Sequence, residues 1–471
     1  MEQESIERAL KEGLFISYND VLVLPKFSDV DPAEPDISGY FSRGIELKLP
    51  VVSAAMDTVT EKEMAKRMAL SGGMGVIHRN LDPEKQAEMV KEVKRSGYVV
   101  EDPYTVSPEM SVEDVYHLSE RLGFKTFPVV EAGEVVGIVT GRDIDLAQFM
   151  NKNREKVKNM MSEEILYISP GDTVDEALEK MYENRVEKLL VMDGKKLKGL
   201  ITFKDIKEIR ENPHATRDSK GRLKVGAAIG VYPKDEGRTK LLYEAEVDVL
   251  VIDSSHGYSK SVIDTIKNIK QDYPDVQVVA GNVATSEGAR ALAEAGADGV
   301  KVGIGPGSIC TTRTVTGVGV PQLSAVYLAA KAVEGYDIPV IADGGIKNSG
   351  DIAKALAAGA SSVMLGSMLA GTDAAPGKIV TYNGVTYKTY RGMASPSVLG
   401  SRSGYGRVPE GVEGLVPYKG RLEDVIEKIA GGVRSGFAHV GARNLKEFHE
   451  RAELIRVSTI KEGARLYGVK N

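Results

Sequence analysis

One cysteine occurs among the 471 residues, and its surroundings say more than its rarity. Cys310 lies in KVGIGPGSICTTRTVTGVGVPQ, residues 301–322. Gly303, Gly305 and Gly307 open backbone conformations that other residues resist and bring main-chain groups close to a ligand or ion. A thiolate in such a loop can attack an electrophilic carbon while loop N–H groups stabilise the developing charge. A lone cysteine is more often a small buried side chain, but the Gly-rich setting at a strand end favours a nucleophile. The spacing Gly-x-Gly-Pro-Gly departs from Gly-x-Gly-x-x-Gly, so no Rossmann site is implied, and no Walker A loop occurs.

Asp343-Gly344-Gly345 and Gly366-Ser367 are the next candidates. Small residues expose backbone N–H groups to an anion, and an aspartate beside them can hold ribose hydroxyls. A single Asp-Gly-Gly also makes an ordinary turn; the pair is the stronger sign. Residues 370–420 then form a long Gly-rich connection without strong periodicity, which predicts a lid or binding loop. Within it, Glu410 or Glu413 is placed to read a nucleobase and Arg402 or Arg407 to serve a water step, unless each is a solvated loop charge.

These groups need elements to hold them. Apolar strand patterns occupy 49–56, 73–79, 224–231, 247–255, 276–283, 298–305, 339–346 and 361–369. Helical patterns such as KEMAKRMAL, SVIDTIKNIK and SGDIAKALAAG fill most intervals. Near-continuous apolar strands alternating with helices predict a parallel sheet buried on both faces, and eight such units predict a closed (β/α)₈ TIM barrel. Asp57, His78, Asp253, Asn282, the Cys310 loop, Asp343 and Gly366 all fall at the C-terminal ends of these strands, where such a barrel assembles its site. The loops after the last two strands are the usual phosphate position.

The barrel pattern is interrupted. TVSPEMSVEDVYHLSERLGFKTFPVVEAGEVVGIVTGRDI is followed by YISPGDTVDEALEKMYENRVEKLLVMDGKKLKGLITFKDI at a constant offset of 62 residues, so that Ser107, Gly137 and Asp143 recur as Ser169, Gly199 and Asp205. A tandem pair of β-α-β-β units follows from this, each with a second strand ending in Thr-x-x-Asp. The predicted organisation is barrel over 1–94, the pair over 95–213 (98–150 and 157–213), and barrel again over 214–471, with a flap over 376–422. Composition is that of a soluble globular chain, 42% hydrophobic and 27% charged with a net charge of −6, which gives no bulk attraction to nucleic acid or anionic membrane. No run reaches the roughly 20 apolar residues of a membrane span, and the acidic N-terminus does not read as a secretory signal. One cysteine excludes an internal disulfide and a multi-cysteine zinc site. A cytoplasmic protein with a small-molecule partner is expected.

The repeated segment resembles cystathionine-β-synthase-type (CBS) modules, whose tandem pair forms a Bateman domain; G-R-D-I and F-K-D-I carry the likeness. That resemblance implies an adenine or guanine nucleotide as regulator, with Asp143 and Asp205 on the ribose, or else a purely structural pair. SAAMDTVT, GNVAT, GPGSICTTR, IADGGI, MLGSMLAGT, YRGMAS and PEGVEG together resemble the inosine monophosphate dehydrogenase and guanosine monophosphate reductase family over nearly the whole chain. The family likeness implies that Cys310 attacks C2 of the purine, with Thr312, Tyr405 and Arg402 or Arg407 completing the catalytic set. Ser308, Gly345, Gly366, Ser367 and Tyr390 would hold the phosphate, Asp343 the ribose, and Met393, Ala394 and Glu410 the base, with Gly344, Arg391 and Gly392 also in the substrate site. Asp253, Gly303, Ile304 and Gly305 would line the nicotinamide cofactor. Carbonyls of Gly305, Gly307 and Cys310 would bind a potassium ion, and members commonly assemble as tetramers or octamers.

Two reactions share the implied intermediate. A dehydrogenase oxidises inosine monophosphate with NAD⁺ and hydrolyses the thioimidate; a reductase displaces ammonia from guanosine monophosphate and uses NADPH. The repeat pair, DSSHG, GTDAAPG, TYRGM and PEGVEG follow the dehydrogenase pattern, whereas TGVGVPQLSAV follows the reductases and RGMAS lies between. Aligned on Tyr405, Gly404 stands where dehydrogenases have an arginine, the flap is short, and EGARLYGVKN lacks the usual dehydrogenase tail. A nucleotide-binding protein with weakened catalysis is the third reading.

Overall fold

The computed structural model describes residues 4–95, 99, 103–399 and 408–457. Eight parallel strands close a barrel: β1 (Val51–Ser53), β2 (Met74–Ile77), β3 (Gly226–Ile229), β4 (Val249–Asp253), β5 (Gln277–Val283), β6 (Gly299–Val302), β7 (Val340–Asp343) and β8 (Ser362–Leu365). All eight lie within the strands read from the sequence. Closure pairs Val363 with Val51, and Gly226 of β3 pairs with Val76 of β2 although more than a hundred residues separate them in the chain. Eight helices surround the strands: α1 (Lys62–Leu70), α2 (Pro83–Lys94), α3 (Glu236–Glu244), α4 (Lys260–Asp272), α5 (Ser286–Glu294), α6 (Gln322–Val333), α7 (Ser349–Ala357) and α8 (Leu422–Val440).

The two-residue period of the strands sorts their side chains into two apolar layers. Val52, Met74, Val76, Ala228, Val249, Val251, Val279, Ile341 and Met364 fill the barrel interior with Phe41. Their neighbours Val51, Ile77, Ile229, Ile252, Val278, Val300, Val340 and Val363 pack outward against the helices. Phe41 sits in a hairpin of Gly39–Ser42 and Ile45–Leu47, and a Cβ on Gly299 would come 2.8 Å from its carbonyl oxygen. The hairpin thus closes the end where strands begin, and the opposite end is left for loops. Burying a side chain such as Phe41 contributes about 1.5–3 kcal/mol. Helix starts are fixed by caps: Thr285 accepts from the Gly288 N–H and Asn348 from the Asp351 N–H.

The contacts separate two compact units. One comprises Met1–Lys94, His214–Arg217 and Leu223–Asn471, the other Arg95–Pro213 and Asp218–Arg222. The second unit contains helix Val112–Leu122, strands Phe127–Glu131 and Glu134–Val139, and helix Gly141–Phe149, followed by the same order over Val174–Asn184, Lys188–Asp193, Lys196–Thr202 and Phe203–Glu211. The strands reach only the start of Thr-x-x-Asp, ending at Val139 and at Thr202; Thr140 and Thr202 are N-caps, and Asp143 and Asp205 are the third residues of the helices that follow.

The connection after β8 also departs from the sequence reading. It carries a three-stranded antiparallel sheet, Ile379–Tyr382, Val385–Arg391 and Glu413–Pro417. Its hairpin turns at Asn383 (φ 49°) and Gly384 (φ 75°), the left-handed pair that favours Asn-Gly.

Candidate active site

After β6 the chain bends at Gly303, where a Cβ would lie 2.1 Å from the Asp343 carbonyl oxygen. The loop then runs to Cys310, half-buried and free. Main-chain pairing pins it. Cys310 forms an antiparallel bridge with Gly411, the Thr311 N–H donates to the Glu410 carbonyl at 2.8 Å, and the Val412 N–H donates to that of Ile309 at 3.0 Å. On its other edge, Glu410 N–H donates to Ala394 O at 3.1 Å and Gly392 N–H to Val412 O at 3.0 Å. A Cβ on Gly392 would come 3.3 Å from the Gly411 Cα, so the three segments stack closely because both positions are glycine. This packing fixes a side-chain chain: Cys310 Sγ–H donates to Thr312 Oγ1 at 3.2 Å, and that hydroxyl donates to Glu410 Oε2 at 2.7 Å. A proton leaving sulfur has a continuous path to a carboxylate.

Beside the cysteine lies a cradle of small residues. Gly344 (φ 93°) and Gly345 (φ 81°) turn in succession and pack on Pro306 and Gly307. A Cβ on Gly366 would come 2.6 Å from the Tyr390 Oη. Tyr390 comes from the added sheet and is buried; burial pushes its phenol up to about 12, against the opposing hydrogen bond with Ser308. It is therefore a neutral donor at working pH. Gly307, Ser308, Gly344, Gly345, Gly366 and Tyr390 thus converge from loops after β6, β7 and β8 and the sheet, the anion-binding position of this barrel class.

Deeper in the mouth, four successive strands contribute a polar network. Lys301 of β6 is 3% exposed and its Nζ bonds Asp343 Oδ2 at 2.7 Å and Asn282 Oδ1, with Asp253 Oδ1 at 3.6 Å. Asn282 Nδ2 donates to Asp343 Oδ2 at 2.9 Å and Gly303 O at 2.7 Å. Burial lowers the affinity of Lys301 for its proton, but the charges of Asp343 and Asp253 outweigh it and hold the ammonium above the usual lysine range. Gln322 donates to Val302 O at 2.8 Å and Asp343 O at 3.1 Å, bracing the same strand ends. Arg391 makes a two-pronged bond to Asp57 at 3.0 and 2.6 Å, while Asn80 donates to the same carboxylate at 2.8 Å.

Residues 15–464 match the family described as IMP dehydrogenase / GMP reductase domain. An inosine-5'-monophosphate dehydrogenase of Aquifex aeolicus is 49% identical over 466 residues, 96% of this chain and 94% of that protein. The Escherichia coli K12 protein of the same name is 50% identical over 467 residues, with the same coverage. A crystal structure of a GMP reductase from Trypanosoma brucei in complex with guanosine 5'-monophosphate superposes with a TM-score of 0.88 at 38% identity, covering 97% of this chain and 98% of that one. The chain belongs to the IMP dehydrogenase / GMP reductase family.

Within this family member the structure gathers Cys310, Thr312 and Glu410 into one hydrogen-bonded line, and Ser308, Gly345, Gly366 and Tyr390 around one cradle. Glu410, read from the sequence as a base contact, stands behind Thr312. Arg391, read as a substrate contact, has its guanidinium on Asp57 and Ser397. Met393 and Ala394 follow it in a turn whose Ala394 carbonyl is tied to Glu410. Gly305 (φ 79°) lies against the Arg313 side chain, which donates to Ile304 O at 3.3 Å. Arg402, Tyr405 and Arg407 lie outside the described residues. Asp143 and Asp205 bond through Oδ2 to their own cap threonines, Thr140 at 2.6 Å and Thr202 at 2.5 Å. Sequence reading missed Lys301 and gave Asp57 no partner. A lysine inside the apolar run DGVKVGIG was a visible signal, because a fully buried lysine needs a counter-charge.

Proposed function

We propose that this chain oxidises inosine 5'-monophosphate to xanthosine 5'-monophosphate through a covalent intermediate on Cys310. The observation that carries the reading is the Cys310–Thr312–Glu410 line beside the phosphate cradle. Ser308, Gly345, Gly366, Ser367 and Tyr390 hold the nucleotide phosphate, and Asp343 takes the ribose through its partly exposed carboxylate. Thr312 relays the thiol proton to Glu410 as sulfur adds to C2. NAD⁺, when bound, accepts the two electrons and the hydrogen that C2 loses. The resulting thioimidate on Cys310 reacts with water, which adds at C2 as sulfur departs; Thr312 with Glu410, once Glu410 has passed the thiol proton to solvent, takes the water's proton. Asp253, Gly303, Ile304 and Gly305 face the nicotinamide side.

Potassium fits the donor set at the loop, because main-chain carbonyls are the hard oxygen ligands a monovalent cation takes. Gly307 O already accepts the Cys310 N–H at 3.1 Å and keeps a second lone pair; Gly305 and Cys310 supply the other carbonyls. The second unit is read as a CBS pair whose Asp143 and Asp205 meet the ribose of an adenine or guanine nucleotide. A homotetramer or octamer in the reducing cytoplasm suits an enzyme that needs a free thiol. Among the described residues, no helix is long and apolar enough to cross a membrane.

GMP reduction is the second reading, favoured by the structural likeness to the Trypanosoma brucei reductase; there the same line would protonate departing ammonia and the cofactor would be NADPH. Absorbance at 340 nm separates the two. With potassium present, we expect it to rise with inosine monophosphate and NAD⁺ and to stay flat in Cys310→Ala. A fall with guanosine monophosphate and NADPH alone would make the chain a reductase. Silence in both, with nucleotide binding intact, would leave a binding protein.

A further inference from the structure

Asp253, Asn282, Lys301 and Asp343 stand at the ends of β4, β5, β6 and β7 in turn. Lys301 Nζ has three N–H groups: one goes to Asp343, one to Asn282, and the third faces Asp253 at 3.6 Å. Asp343 and Asp253 are both partly exposed to the barrel mouth, whereas the ammonium between them is buried. One cation therefore serves two carboxylates in a low-dielectric setting, where its position strongly affects both. From this geometry we infer that Lys301 is a positioning residue that couples substrate binding to cofactor binding. The inference rests on the reading above, in which Asp343 meets the ribose and Asp253 the nicotinamide.

Ribose hydroxyls donating to Asp343 weaken its hold on Nζ and release the ammonium toward Asp253. Whatever changes at Asp253 returns to Asp343 by the reciprocity of linked equilibria. Removing the Asp253 charge leaves the ammonium wholly with Asp343, so the ribose has a stronger competitor.

A double-mutant cycle on the full chain, read by calorimetric titration of inosine monophosphate without cofactor, tests this. Asp253→Asn, although remote from the purine nucleotide, is expected to weaken its binding about threefold in the wild-type background and not at all in Lys301→Met. Lys301→Met alone, which removes the ammonium that competes with the ribose for Asp343, is expected to tighten it about threefold. Equal effects of Asp253→Asn in both backgrounds, or none in either, would overturn the coupling and leave Lys301 a structural strut. If Lys301→Met shows no cooperative melting transition, Lys301→Gln replaces it in the cycle, because it keeps a polar side chain there but carries no charge to share between the two carboxylates; there too an undiminished Asp253→Asn effect overturns the coupling. A wild-type chain that binds neither inosine nor guanosine monophosphate would sink the underlying functional reading instead.

Discussion

Thr312 occupies the one position between a thiol and a carboxylate, accepting from Cys310 and donating to Glu410. A hydroxyl can do both at once, which neither valine nor alanine can. Thr312→Ala and Glu410→Gln are each expected to lower kcat by about 10²-fold, the usual contribution of positioned proton transfer. Because both break one path, the double variant is expected to fall little further, as groups acting in series are not additive. Steady-state rates checked across pH complete the test: an additive 10⁴-fold loss would show that the two act separately. Tyr390 belongs to the same scale but a different role, since its raised pKa keeps it a donor throughout the working range.

At the scale of elements, the added antiparallel sheet holds the mouth in place. The sheet delivers Tyr390 and Arg391 on neighbouring positions of one strand, so one side chain reaches the Gly366 cradle and the next reaches Asp57. Asp57 is 6% exposed and Arg391 35%, a pair in which the carboxylate loses more hydration than the guanidinium. Lys388 of the same strand is buried and donates to the carbonyls of Thr372 and Ala375, anchoring the sheet to the chain leaving β8. Behind the barrel, His449 of the helix Leu445–Arg451 is half-buried against the turn that ends α7, bonding Ala360 O at 3.1 Å. Burial lowers its pKa below 6.5, despite the carbonyls of Ala360 and Leu356. The unfolded chain thus binds more protons than the folded one once the pH drops below about 6.5, so stability is lost as pH falls through the folded pKa. Melting temperatures between about pH 7 and pH 5 are expected to fall more steeply for the wild type than for His449→Gln; parallel slopes would remove His449 from the explanation.

At the scale of the molecule, the barrel strands pair without help from the second unit, since β2 meets β3 directly through Val76 and Gly226. The second unit has its own apolar clusters around Phe127 and Val129 in the first repeat and Leu189 and Val191 in the second. Loop closure costs grow only slowly with length, which is why a long excursion between two strands is tolerated. Replacing residues 95–213 by a short Gly/Ser linker is expected to leave a cooperatively melting barrel with kcat within about threefold of the full chain, while any response to added adenine or guanine nucleotide at that unit disappears. Calorimetry and turnover on the excised protein check it; loss of the folded barrel would show that the strands depend on the inserted unit.

The sequence by itself determined the architecture and marked Cys310 as the candidate nucleophile. Eight two-faced apolar runs have no partner but one another, and a Gly-rich strand end can hold a cysteine in only a few ways. It also marked the strand-end polar residues, because each such residue follows an apolar run whose direction is known. Pairings between those residues were decided by tertiary structure alone. Nothing in the spacing of Thr312 and Glu410, or of Asp57 and Arg391, says that they touch, since barrel closure brings together groups remote in the chain. The hairpin in the long connection had a local signal in Asn383-Gly384, obscured by poorly periodic flanks whose strands are half-exposed. Lys301 was decided at both levels: its burial was legible in an apolar run, but its three partners exist only where β4, β5, β6 and β7 end side by side.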